Sequence, residues 1–130
     1  MVKTDSSGNK QWDQTFGGSG FEYLSSLAHA PDGGYVLGGY SSSGGSGNKT
    51  SPGFGDQDFW IIKLDQGGTK QWERAFGGNG ADTLQFLILT SDGGYLLAGS
   101  SASGTSGNKT SANLGGRDYW VSKFPSVISQ

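Results

Sequence analysis

Residues 58–65 read Asp58-Phe59-Trp60-Ile61-Ile62-Lys63-Leu64-Asp65. In an extended strand successive side chains point to opposite faces, so Phe59 and Ile61 share one face while Trp60, Ile62 and Leu64 share the other. Both faces are apolar, and a sheet built around this strand needs cover on both sides. The stretch returns 60 residues later as Asp118-Tyr119-Trp120. Gln11-Trp12 returns as Gln71-Trp72, Phe16-Gly17-Gly18 as Phe76-Gly77-Gly78, and Asp32-Gly33-Gly34-Tyr35 as Asp92-Gly93-Gly94-Tyr95, without a slip in register. The hexapeptide Ser46-Gly47-Asn48-Lys49-Thr50-Ser51 recurs intact at 106–111. The chain is two copies of one supersecondary unit, spanning about residues 2–61 and 62–125.

Within each copy the apolar residues fall in short runs separated by turn residues, the pattern of strands and not of helices. The spacing predicts strands at 23–30 and 34–41, joined by an Asp-Gly-Gly turn suited to positive φ. A Gly/Ser-rich connection leads to 58–64, and a second turn leads to 70–76. The second copy repeats these strands at 83–90, 94–101 and 118–124, and residues 10–16 match 70–76. Four antiparallel strands recurring at a fixed interval, apolar on both faces, fit the blade of a β-propeller. A single β-sandwich of two sheets also accounts for about eight strands.

The expected fold is therefore all-β, with two four-stranded antiparallel blades forming one unit over residues 1–130. The second copy ends after its third strand, and its fourth is expected from residues 10–16 of the same chain or of a neighbour. Because propellers have about 4 to 8 blades, two blades call for copies of the chain. Three or four copies would close a ring of six or eight.

Composition narrows the functional classes. Of 130 residues 25 are glycine, which agrees with a turn-rich fold, and 9 basic against 11 acidic residues leave a net charge of −2. No basic block is available for a phosphate backbone, so nucleic acid is not an expected partner. No uninterrupted aliphatic or aromatic run is longer than that at 86–89, well short of the roughly 20 residues that cross a bilayer, and neither a membrane span nor a signal peptide is read here. The absence of cysteine removes disulfides and thiolate chemistry.

The phrases at 58–65, Lys70-Gln71-Trp72, Phe76-Gly77-Gly78 and Ser91-Asp92-Gly93-Gly94-Tyr95-Leu96-Leu97-Ala98-Gly99 closely resemble the β-propeller repeats of long bacterial secreted and cell-surface proteins. The resemblance covers nearly the whole chain. It implies a propeller fold and an extracellular or cell-surface setting for any longer parent, and it assigns no activity.

Candidate binding residues come from repetition. Asn48, Lys49 and Thr50 recur as Asn108, Lys109 and Thr110 in long polar loops, where amide, ammonium and hydroxyl groups could meet a glycan, and a ring would display the cluster many times. Such side chains also bond their own turns. Trp12 and Trp72 offer large apolar faces with an indole N–H, suited to stacking on sugar rings or on a neighbouring subunit. Asn48-Lys49-Thr50 and Asn108-Lys109-Thr110 also match the N-glycosylation pattern, which matters only in a eukaryotic secretory route. No metal or other cofactor is expected: Asp56 and Asp58 could offer oxygen ligands, but the second copy replaces Asp56 by Gly116 and places Arg117 beside Asp118. Catalytic groups are few, because His29 is the single histidine and its repeat partner is Leu89. The expected function is a non-catalytic, lectin-like binding module; the alternative is a self-assembling scaffold or a fragment of a larger surface protein with no small ligand.

Overall fold

The computed structural model describes residues 1–125 and is all-β over that span, with nine strands in three antiparallel sheets. β1 (Val2–Thr4) and β2 (Lys10–Asp13) form a two-stranded sheet. β3 (Glu22–His29), β4 (Tyr35–Ser41), β5 (Asp58–Leu64) and β6 (Lys70–Phe76) form a four-stranded meander. β7 (Asp82–Leu89), β8 (Tyr95–Ser101) and β9 (Asp118–Phe124) form a three-stranded sheet.

Turn chemistry fixes the hairpins. Asp32 Oδ1 accepts from the Gly34 amide at 2.8 Å and Asp92 Oδ1 from the Gly94 amide at 3.0 Å, while Gly33 and Gly93 adopt φ of 89° and 82°. Asp5 and Asp65 each accept two backbone amides in the same way, one turn before β2 and one before β6. These are side-chain-closed turns, with glycine where the backbone must be left-handed.

Every residue of β5 is buried, as its two apolar faces require. Phe59 and Ile61 join Val36, Leu84, Leu87, Leu97 and Trp120 in a core between the four-stranded and three-stranded sheets. Trp60, Ile62 and Leu64 face the other way and pack with Leu37 under Met1, Trp12 and Phe16. The three sheets therefore stack in series, and the middle one is covered on both sides. The two interfaces are built alike: Trp12 meets Tyr35 edge-on at 6.0 Å between ring centroids, and Trp72 meets Tyr95 edge-on at 5.4 Å.

The repeat is unequal at its ends. The sequence pattern implies a fourth strand for each copy, but among the described residues the sheet of β7, β8 and β9 has three. Residues 10–13 lie at the opposite end of the stack and pair with β1, and among the described residues none of 10–16 pairs with β9. β2 also stops at Asp13, whereas β6 runs to Phe76, because Thr15 and Phe16 have no strand opposite them. The strand starts at 22, 35, 82 and 95 differ by one residue from those read in the sequence.

Candidate functional site

The two preserved loops, residues 42–57 and 102–117, leave the ends of β4 and β8 and fold against the preceding sheet. Asn48 Oδ1 accepts from the Gly17 amide at 2.8 Å, its Nδ2 donates to Thr15 O at 2.8 Å, and its own amide donates to Gly17 O at 3.1 Å. Asn108 repeats this on Gly77 and Ala75 at 2.8, 2.9 and 3.1 Å. Each asparagine thus satisfies backbone groups of the neighbouring sheet with both ends of its amide. The approach needs glycine beside it: Gly47 and Gly107 have φ of 58° and 57°, and a Cβ on either would stand 2.3 or 2.2 Å from the carbonyl oxygen of Gly17 or Gly77.

Lys49 and Lys109 are 2% and 4% exposed. Lys49 Nζ donates to Ser51 O at 2.7 Å and Pro52 O at 3.2 Å and stands 5.7 Å from the Trp60 ring centroid. Lys109 Nζ donates to Ser111 O at 2.7 Å and stands 5.7 Å from the Trp120 ring. Burial pushes the Lys49 ammonium below its usual range, and the nearby carboxylates of Glu73, Asp58 and Glu22 oppose that. Thr50 and Thr110 are exposed.

Trp12 and Trp72 are half-buried between sheets. Trp12 lies against Tyr35 and over Gly68, where an added Cβ would come within 2.8 Å of the indole; Trp72 contacts Tyr95 and Phe124 and carries the Arg74 guanidinium 5.6 Å from its ring. Among the described residues no hydrogen bond or ring contact joins either tryptophan to the loops.

Three acidic residues organise these loops, and the reading of candidate residues did not single them out for that role. Glu73 Oε1 accepts from the Thr50 and Ser51 amides at 2.9 and 2.7 Å and from Trp60 Nε1 at 3.2 Å, and Oε2 meets Lys70 Nζ. Burial works against its charge, yet the bonds from Lys70, Ser51 and Thr50 hold the carboxyl down to about 2. Asp82 is fully buried and accepts from the Gly78 amide, Ser101 Oγ and Ser103 Oγ. Asp58 accepts from the Phe54 amide through Oδ2 at 2.8 Å, while its buried Oδ1 has no partner. A Cβ on Gly77 would lie 2.0 Å from Asp58 Oδ1 and 2.9 Å from Asp82 Oδ2, so the two carboxylates converge over that glycine. Burial first, then the Asp82 charge, push Asp58 up to about 6. Acidic residues at matching repeat positions, Asp58 with Asp118 and Glu22 with Asp82, were the available signal.

Chemically, these groups close backbone amides and fasten the loops to the sheets, with the Asp58 and Glu73 carboxyls buried among them. No protein-family model matches the chain, and no curated protein matches it.

Proposed function

We propose that the chain is a non-catalytic propeller-blade unit, a structural module that stacks sheets in series and extends the stack with copies of itself, three or four copies giving six or eight blades. One observation carries this reading. The open face of the β7–β9 sheet, with Phe86, Ile88, Tyr119 and Val121 exposed, is the repeat image of the face of the β3–β6 sheet that Phe59 and Ile61 bury against β7–β9. A large unpartnered apolar face marks an interaction surface, and here its complement is already present within the chain.

The loops support the scaffold version over the ligand-binding one, because Asn48, Lys49, Asn108 and Lys109 are engaged in holding sheets and loops together. Light scattering after size-exclusion chromatography tests the proposal: the expected mass is three or four times 13.5 kDa. A folded 13.5 kDa species at high micromolar concentration would overturn it. On a glycan array the assembled protein is expected to bind nothing. Binding that vanishes on Thr50→Ala with Thr110→Ala would put the lectin-like reading in its place.

A further inference from the structure

We infer that copies join by strand exchange: β9 of one copy pairs with residues 10–16 of the next and displaces that copy's β1. The inference rests on the self-assembling reading above and specifies its contact.

The register follows from the repeat. β5 pairs with β6 through Phe59↔Phe76, Trp60↔Ala75, Ile61↔Arg74, Ile62↔Glu73, Lys63↔Trp72 and Leu64↔Lys70. Shifted by 60, Tyr119 and Trp120 of one copy meet Phe16 and Thr15 of the next, Val121 meets Gln14, Ser122 meets Asp13, Lys123 meets Trp12, and Phe124 meets Lys10. In the single chain half of those positions are held by β1, in the same register: Val2↔Asp13, Lys3↔Trp12 and Thr4↔Lys10. Met1 and Gln14 exchange backbone bonds at 2.8 and 2.9 Å, so Met1 stands where Val121 of a neighbour would stand. β1 is a partial copy of the strand that completes the unit. Among the described residues Thr15 and Phe16 beyond it have no strand opposite them, and a neighbour's Tyr119 and Trp120 can pair there first and then advance along β2.

Three further features show why β9 is the better occupant. The lysine network comes first. Lys63 Nζ reaches Asp32 at 2.8 and 3.1 Å, Leu64 O at 2.9 Å and Gln71 Oε1 at 2.8 Å. Lys3 has the Gln11 half of this network, at 2.8 Å, and Lys123 has the Asp92 half, at 2.9 Å. Pairing β9 with β2 brings Asp92, Lys123 and Gln11 together and restores the whole set.

The second feature is a cleft of about 220 Å³ beside β1, lined by Met1, Phe16, Leu24, Leu37, Tyr40 and Trp60 among others. Its repeat image in the chain is the region of Leu84, Leu97 and Trp120 that Phe59 and Ile61 fill. Tyr119 and Val121 of a neighbour are the matching side chains, and Tyr119 is 97% exposed.

The third is at the loops. Phe54 packs over Gly107, its Cβ 3.0 Å from where that glycine's would be, while its image Leu114 is 89% exposed and the corresponding glycine, Gly47, lies on the next copy. Each copy thus has one donor edge and one acceptor edge, the head-to-tail arrangement that closes into a ring or runs on as a filament.

The chain has no cysteine, so introduced pairs report without background. Val121→Cys with Gln14→Cys places two thiols on directly opposed residues, about 5.5 Å apart at Cα, within disulfide reach. Under mild oxidation this variant is expected to give covalently linked multimers on a non-reducing gel. Val121→Cys with Thr15→Cys, on opposite faces, is expected to give at least tenfold less. Equal yields, or no cross-linking at a concentration where scattering shows assembly, would overturn the exchange while leaving self-assembly intact; no assembly at all would sink the parent reading.

Removal of residues 2–4, or Lys3→Pro to take away a backbone donor of β1, is expected to lower the concentration of half-assembly about tenfold. An unchanged or higher midpoint in both variants would show that β1 does not compete.

Discussion

A buried carboxylate with one oxygen left unbonded is costly at neutral pH, and Asp58 is in that position with Asp82 converging on it over Gly77. Lys49 is the cation facing it from its own loop, and Asp82 is the acid facing it from β7. Its folded value of about 6 lies above the ordinary 3.8, so folding favours the protonated form. That contribution is fully present below 3.8 and is lost as pH rises through about 6. Glu73 has the opposite sign: held at about 2 against an ordinary 4.5, it stabilises above 4.5 and loses that effect as pH falls toward 2. Stability is thus expected to be greatest near pH 4 and to fall between about pH 4 and 6. Chemical denaturation across pH 3 to 8 checks this, and Asp58→Asn should flatten the fall between about pH 4 and 6, which amounts to about 3 kcal/mol at most. At the loops, Asn108→Ala leaves the Gly77 amide and Ala75 carbonyl without their side-chain partner and should cost about 1–3 kcal/mol in the same assay.

Elements carry the next level of specificity, and Gly38 in β4 shows it. A Cβ there would stand 2.8 Å from Leu84 Cδ2 and 3.3 Å from Leu87 Cβ, atoms of the strand packed on it. Gly38→Val is expected to push β7 off the middle sheet and destabilise by about 1–3 kcal/mol, read as a lower denaturation midpoint. The repeat partner is Ala98, whose face is open in the single chain, and Ala98→Val should change the chain's own stability little. The strands themselves were legible. β5, β6 and β9 fall where alternation and turn residues put them, since local apolar patterning fixes an extended segment with two buried faces. β2 ends short of the predicted 16, because Thr15 and Phe16 continue the strand pattern but have no strand opposite them among the described residues. The polar loops were legible as repeated and long, but their use was not. Asn48 and Asn108 bond groups 31 and 33 positions earlier, on another sheet, and no local pattern marks so distant a partner. Asp58 and Asp82 meet only because two sheets stack. Their acidity was visible at matching repeat positions, and their convergence was not.

For the whole molecule, the repeat makes a paired experiment possible at one structural position. Phe59 and Tyr119 stand 60 residues apart on equivalent strands, each on the face directed toward the following sheet. Phe59 is fully buried with its ring centroid 4.7 Å from that of Trp120, whereas Tyr119 is 97% exposed. If the stack continues through a second copy, Tyr119 contacts that copy's Trp60 as Phe59 contacts Trp120. Lysine at position 59 would bury an unpaired ammonium in the core and should cost 4 kcal/mol or more, enough to unfold the chain. Tyr119→Lys, at a site open to water in the single chain, should leave the 13.5 kDa species folded within about 0.5 kcal/mol. In the assembly the same ammonium would sit between two sheets, so scattering should show the association lost while circular dichroism stays unchanged. Were Tyr119→Lys to assemble as readily as the parent chain, the face of β7–β9 would not be the one that meets another copy.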